Sequence, residues 1–184
     1  MFQFDYEQRG TTSAGLLALD GLANSFHALM LADDGNKFAS IVTIYTCGNP
    51  DLASDLSAAI KTPDIVVDDR KIVSLSPGTD SPTHVVLTFD DGTTCTEGFI
   101  IHRPETKLDL KFVKQLGIEV SEKGDIVTSP PFCQTTVPGV YAAGDCVSPA
   151  KVIPNAISMG AYAGCGLARE LPRRITGNSI NGIA

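Results

Sequence analysis

The chain has 184 residues, enough for one domain or two small ones, and its 43% hydrophobic and 19% charged residues can fill a globular core. A formal net charge of -7 argues against an extended phosphate backbone as partner, so no nucleic acid is expected. No stretch reaches the roughly 18 apolar residues that span a bilayer, and "MFQFDYEQRG" has neither region of a signal peptide, so no membrane is expected either.

Residues 15–19 are an apolar run that predicts a strand, Asp20-Gly21 marks a tight turn, and Ala23 to Ala32 repeats apolar residues at helical spacing. "SIVTIYT" is β-branched and predicts a second strand, parallel to the first because a crossover helix joins them. "NPDLASDLSAAIK" predicts the next helix, with Asn49 as its cap and Pro50 at its first position. "RKIVSLSPG" and "THVVLTFDDGTTCTEGFIIH" then predict three short strands over 71–101, the last two hinged at Asp91-Gly92 as an antiparallel meander. Beyond Arg103 come a loop, a short helix in "LKFVKQLG", a short strand in "DIVTS" and a Pro-Pro break. A strand, "GVYAAGD" at 139–145, and a long helix starting near Pro154 end the pattern. The expected fold is α/β, with a three-layer, Rossmann-like nucleotide-binding domain and its meander over residues 10–103. Residues 104–184 add one or two strands and the long helix.

Five scattered cysteines (Cys47, Cys95, Cys133, Cys146 and Cys165) contain no CxxC and no spacing to histidine that suits zinc. A reducing, cytoplasmic setting is the expectation, without disulfides or a metal site. His27, His84 and His102 lie far apart in sequence and read as ordinary solvated or hydrogen-bonded histidines. No titratable pair converges by spacing, so catalytic residues stay unassigned. His102, Arg103 and Glu105, in the linker between the two halves, are the nearest candidates.

A strand–turn–helix start invites a search for the glycines that let a pyrophosphate approach a helix N-terminus. The turn here, "ALDGLAN", has one glycine, and Asp20 brings a negative charge to the place of the phosphate oxygens. After the second strand, "YTCGNPD" offers no Arg or Lys for a ribose 2′-phosphate. Both features argue against NADP. "TTVPGVYAAGD" points elsewhere. It resembles the pattern T-x-x-x-(V/I/F)-(Y/F)-A-x-G-D that flavoprotein reductases place against the ribityl chain, a resemblance that implies Asp145 as an acceptor for a ribityl hydroxyl and Gly144 as the residue that keeps the backbone close. The helix from Pro154 then turns its positive end toward the edge of a flavin that becomes negative on reduction.

These motifs together resemble the C-terminal part of thioredoxin-reductase-like flavoproteins, and among them the fungal gliotoxin-type dithiol oxidases, which close disulfides in secondary metabolites. "YEQRG", "GLLALDGLAN", "VTIYTCGN", "TEGFIIHRPET", "GDIVTSPPFCQTTVPGVYAAGDC" and "NAISMG" follow in that family's order and spacing. The resemblance implies FAD as cofactor and makes 104–184 the C-terminal segment of an FAD-binding domain. It places Gly144 and Asp145 at the ribityl and phosphate region, and Asn155 and Ala156 beside the flavin ring. Cys146 follows the Gly-Asp pair as it does in the family, and reads as a small packing residue.

The departures set the expected function. The family's CxxC precedes the segment corresponding to "YEQRG", and its GxGxxG lies further upstream; neither motif occurs in these 184 residues. The expectation is therefore an N-terminally truncated oxidoreductase of a secondary-metabolite pathway, without dithiol oxidase activity on its own. The alternative is a repurposed, cofactor-independent cyclase, isomerase or binding protein acting on a small-molecule substrate. In the parent fold the 139–145 strand pairs with the other half, so a homodimer or a partner chain is expected to cover it.

Overall fold

The computed structural model describes residues 10–171. The motif residues Tyr6 to Arg9 and the end of the C-terminal segment, 172–184, lie outside the described residues. The chain divides into two compact units, with the boundary between Glu105 and Thr106.

The first unit runs β1 (Thr11–Leu17), α1 (Ser25–Asn36), β2 (Ala39–Tyr45), α2 (Pro50–Ala59) and β3 (Ile65–Asp68). It continues with β4 (Ile72–Pro77), β5 (Val85–Phe89), β6 (Thr94–Glu97) and β7 (Ile100–Ile101). Four strands form a parallel sheet in the order β3-β2-β1-β7, and three form the antiparallel meander β4-β5-β6. The expected parallel pairing is present, with Gly15 opposite Thr43 and Leu17 opposite Tyr45. Strand β1 starts earlier than its apolar run, because its polar residues Thr11 and Ser13 pair with Ala39 and Ile41.

Both crossover helices begin where an asparagine closes the first turn. The Asn24 side chain accepts from the His27 N–H at 2.9 Å, so α1 starts at Ser25 rather than Ala23. Asn49 accepts from the Leu52 N–H at 3.1 Å, with Pro50 in the first turn of α2. The short strand β3 is not announced by the sequence pattern; it lengthens the parallel sheet beside β2. The third meander strand is also shorter than "TCTEGFIIH" suggests. At Gly98 the chain leaves the antiparallel sheet, its N–H donating to the Ser13 carbonyl at 3.0 Å, and Ile100–Ile101 join β1 instead.

The parallel sheet is covered on both faces. On the helix side Leu16, Leu22, Val42, Ile44 and Leu56 have no exposed surface. On the meander side Leu17, Tyr45, Leu87 and Phe89 form a second cluster. Each such burial stabilises by about 1.5–3 kcal/mol relative to exposure.

The second unit contains α3 (Leu110–Leu116), β8 (Thr128–Ser129), β9 (Gln134–Thr135), a 3-10 turn at Gly144–Cys146 and α4 (Ile153–Glu170). Asp109 caps α3 by accepting from the Lys111 N–H, and Gly117 ends it in the left-handed region. Strands β8 and β9 pair antiparallel. Among the described residues its buried hydrophobic side chains are Val113 and Cys133 alone.

The expected strand at 139–145 is not formed. A turn at Val137–Val140 brings residues 140–142 back against 133–135, with one bridge between Gln134 and Tyr141. Gly144, at φ 84°, then starts the 3-10 turn, and the Val147 and Ser148 N–H groups fold back onto its carbonyl. With a single short neighbour, the segment lacks the ladder that would hold it extended.

At Gly15 the absence of a side chain matters. A Cβ there would lie 2.7 Å from Ile100 Cδ1, 2.9 Å from the Tyr45 ring and 3.2 Å from Glu97 Cγ. Gly15→Ala should therefore destabilise the first unit by about 1–3 kcal/mol. Urea unfolding followed by circular dichroism checks this, and an unchanged midpoint would contradict the packing described.

Candidate functional site

The residues expected at the flavin edge come together within the second unit. Gly144 is buried, and a side chain built on it would begin 3.7 Å from Ala156 Cβ, in the first turns of α4. Asp145 is exposed on the 3-10 turn, and its carboxylate has no hydrogen bond or ion pair among the described residues. The α4 N-terminus has Val152 as its cap residue, with no side-chain cap bond and Pro154 in the first turn. Its first-turn N–H groups thus remain available as donors, with the positive end of the helix behind them. Asn155 turns toward its own loop, its amide donating at 3.0 Å to both Ser148 Oγ and the Ala150 carbonyl. That ties the 145–152 loop to α4 and leaves the Asn155 carbonyl oxygen free to accept. The Cys146 thiol donates to the Ala143 carbonyl at 3.4 Å, in keeping with a small packing role.

This donor and acceptor set fits the ribityl and pyrimidine end of a flavin. Gly144 gives clearance, Asp145 an unengaged acceptor and α4 a positive terminus.

The turn after β1, in the first unit, is different. Asp20 sits at φ 49°, a left-handed conformation a non-glycine residue seldom adopts, and opens a 3-10 turn over Asp20–Leu22. His102 Nε2 lies 3.9 Å from Asp20 Oδ2, and Arg103 packs against Gly21, its Cδ 3.4 Å from where a Cβ would be. Two of the three linker candidates thus reach the nucleotide turn, whereas Glu105 is exposed and the structure brings it to neither site. The turn after β2 holds Cys47 and Gly48 at φ 53° and 84°, with no Arg or Lys over 46–51. A turn with one glycine, a carboxylate at Asp20 and a single exposed Arg103 packed against Gly21 does not make a pyrophosphate site, so these residues do not fit NADP.

A third group is one that spacing alone did not bring together. The Tyr45 hydroxyl donates to Glu97 Oε1 at 2.5 Å and lies 3.1 Å from Cys95 Sγ. Glu97 is 3% exposed. Burial pushes the Tyr45 phenol far above its usual range and raises the Cys95 thiol. Beside them Arg70 forks onto Asp68, lies 3.8 Å over the Phe89 ring and, by its hydrogen bonds, holds the Asp68 carboxyl below the usual range. The available signal was strand alternation. In "TCTEG", Cys95 and Glu97 share the face that points inward.

Fold and site define a two-unit α/β protein built from nucleotide-binding elements. The model of the pyridine nucleotide-disulphide oxidoreductase family matches residues 99–160. A thioredoxin reductase of Aspergillus oryzae, aclD, is 38% identical over 173 residues, 93% of this chain and 54% of its own length. A second, sirT of Leptosphaeria maculans, is 34% identical over 172 residues, 91% of this chain and 53% of its own. The crystal structure of an oxidoreductase from Agrobacterium tumefaciens matches with a TM-score of 0.60 at 26% identity, covering 85% of this chain and 50% of that one. Along about nine tenths of its length, then, this chain is similar to fungal thioredoxin reductases, and its residues 99–160 match the pyridine nucleotide-disulphide oxidoreductase family. It spans about half the length of the curated relatives it matches. Among the described residues no helix is long and apolar enough to cross a membrane.

Tyr45→Phe tests the buried cluster. It removes the short hydrogen bond to Glu97 while keeping the ring, and should cost about 1–3 kcal/mol, the range for a buried acceptor losing its donor. Denaturant unfolding measures the loss; stability equal to the parent would show that the bond contributes nothing.

Proposed function

We propose that this chain supplies the nucleotide-binding-like unit and the C-terminal flavin segment of a thioredoxin-reductase-like oxidoreductase acting in a secondary-metabolite pathway. The carrying observation is the unengaged Asp145 carboxylate beside buried Gly144 and the uncapped α4 N-terminus. FAD, when bound, supplies the transfer of an electron pair between a thiol or disulfide substrate and its redox partner. Asp145 would accept a hydrogen bond from the ribityl chain, and the Asn155 side-chain carbonyl would be the acceptor toward the flavin ring. Ala156 leaves room for the cofactor, and the α4 N-terminus stabilises negative charge at the pyrimidine edge. The 184 residues contain no CxxC. Five free thiols support a reducing compartment, the cytoplasm.

The cofactor prediction follows from magnitudes. A charge-assisted hydrogen bond contributes about 1.5–3 kcal/mol, whereas micromolar binding needs about 8 kcal/mol. Asp145, Asn155 and one helix terminus fall short of that once ordering is subtracted. The purified 184-residue chain should be colourless, without stoichiometric flavin, and should reduce no disulfide with NADPH. An absorbance spectrum showing one flavin per chain, lost in Asp145→Ala, would overturn the requirement for a further segment.

The same reading covers assembly. Ile157, Tyr162 and Leu167 on α4 are 68%, 51% and 45% exposed, and Gly166 is the helix's sole buried residue. We propose that a second copy or a partner chain covers α4 and the 139–145 segment. Light scattering of the isolated chain should give a dimer or larger species; a monomer at micromolar concentration contradicts self-association.

A further inference from the structure

Three Asp-Gly pairs lie among the described residues, Asp20-Gly21, Asp34-Gly35 and Asp91-Gly92, and the fold treats them differently. Such a pair can rearrange without an enzyme, because glycine has no side chain to shield its amide nitrogen from the neighbouring carboxyl. The glycine nitrogen bonds to the aspartate Cγ and gives up its proton, and one carboxyl oxygen leaves as water. Water then opens the five-membered imide at either carbonyl. Opening at Cγ restores aspartate, whereas opening at the α-carbonyl leaves isoaspartate, its main chain running through Cβ and Cγ. The water lost is regained, so nothing is oxidised and no co-reactant is needed. The reaction does need an amide nitrogen and a carboxyl that are free to approach each other.

Two of the pairs are restrained. Asp34-Gly35 belongs to α1, where Gly35 is buried and turning its peptide would break the helix ladder. Asp34 Oδ1 also accepts from Lys37 Nζ at 2.6 Å. Asp91 Oδ1 accepts from the Thr93 N–H at 2.8 Å and from the Thr93 hydroxyl at 2.6 Å, while the Gly92 N–H donates to the Phe89 carbonyl at 3.0 Å. The bonds from Thr93 hold the Asp91 carboxyl below its usual range, and an ionised carboxylate gives up an oxygen less readily than the acid.

Asp20-Gly21 lacks each of these restraints. The turn's own bonds run from the Leu22 N–H to Leu19 and from the Ala23 N–H to Asp20, and the Gly21 N–H has no partner among the described residues. The Asp20 carboxylate accepts no hydrogen bond there either, and its ion-pair contact is His102 Nε2 at 3.9 Å. Both residues are exposed. At φ 49° Asp20 occupies the left-handed region, which is unfavourable for a residue with a side chain, so the residue itself does not resist rotation away from it.

We propose that Asp20-Gly21, in the turn between β1 and α1, is a site of isoaspartate formation, and that the folded chain directs the modification there in preference to Asp34-Gly35 and Asp91-Gly92. In the product the Asp20 carbonyl that receives the Ala23 N–H at 3.1 Å becomes a free carboxylate, so the entry to α1 is rebuilt. The site goes beyond the flavin-segment reading and does not depend on it.

The test is to age the full 184-residue chain at neutral pH and physiological temperature and to map isoaspartate peptide by peptide. Mapping by position is needed because Asn181-Gly182, outside the described residues, can form isoaspartate as well. Electron-transfer fragmentation in the mass spectrometer tells isoaspartate from aspartate at each position. Asp20 should isomerise about tenfold or more faster than Asp34 and Asp91, the factor that one net hydrogen bond of about 1.4 kcal/mol represents. In concentrated urea the restraints disappear, and the three rates should converge. Gly21→Ala puts a Cβ 3.4 Å from Arg103 Cδ, an ordinary contact, and should suppress the reaction at Asp20 while leaving Asp91 unchanged. Should that variant not fold, Asp20→Glu, whose longer side chain closes a ring far less readily, should suppress it equally. The proposal is overturned if Asp20 in the folded chain isomerises no faster than the other two, if its lead is the same in urea, or if a folded Gly21→Ala or Asp20→Glu chain rearranges at position 20 as the parent does.

Discussion

Strand β1 is buried on both faces, and much of the first unit follows from that constraint. Its even-numbered residues Ala14 and Leu16 have no exposed surface beneath the helices. Leu17 faces the other way, into the cluster of Tyr45, Leu87 and Phe89. A strand covered on both sides needs parallel neighbours joined by crossover helices on one face and a further layer on the other. Strand β2 and helices α1 and α2 supply the first requirement, and the meander supplies the second. At Gly15 the two layers approach so closely that the Tyr45 ring and Glu97 stem occupy the space a side chain would take.

The same strand delivers the chain to the nucleotide turn, where a different balance holds. A phosphate-binding turn needs backbone N–H groups, a helix terminus and no competing negative charge. The helix is present and capped by Asn24, but Asp20 brings its carboxylate to the turn in a left-handed conformation. His102 and Arg103 approach from the segment after β7 and meet Asp20 and Gly21. At this turn the side chains make internal contacts with one another.

The two units differ in how far each is stabilised by its own core. The first has two hydrophobic clusters, one on either face of its parallel sheet. The second has Val113 and Cys133 as its buried hydrophobic side chains among the described residues, while α4 displays Ile157, Tyr162 and Leu167. An amphipathic helix gains most of its stability from burying its apolar face. Within this unit α4 leaves most of its surface exposed, with Gly166 as its buried residue.

The elements that local chemistry controls were legible from the residues alone. Asn49-Pro50 opens a helix because the side chain and ring satisfy first-turn geometry without outside help. The β-branched "SIVTIYT" run and the Asp91-Gly92 hinge likewise carry their conformations in a few neighbouring residues. The family signal was also legible, because it resides in ordered short motifs. What depended on distant partners was not. The 139–145 segment reads as a strand by composition, yet extension requires a ladder on its edges, and the chain offers a single bridge at Tyr141. The exit of Ile100–Ile101 from the meander depended on β1 lying alongside. Tyr45, Cys95 and Glu97 are separated by 50 and 52 residues in their hydrogen bonds, so no spacing rule could join them. Local propensity determined the helices, turns and ancestry; the packing of one sheet against another decided which buried groups face each other, since hydrogen bonds and burial act through space.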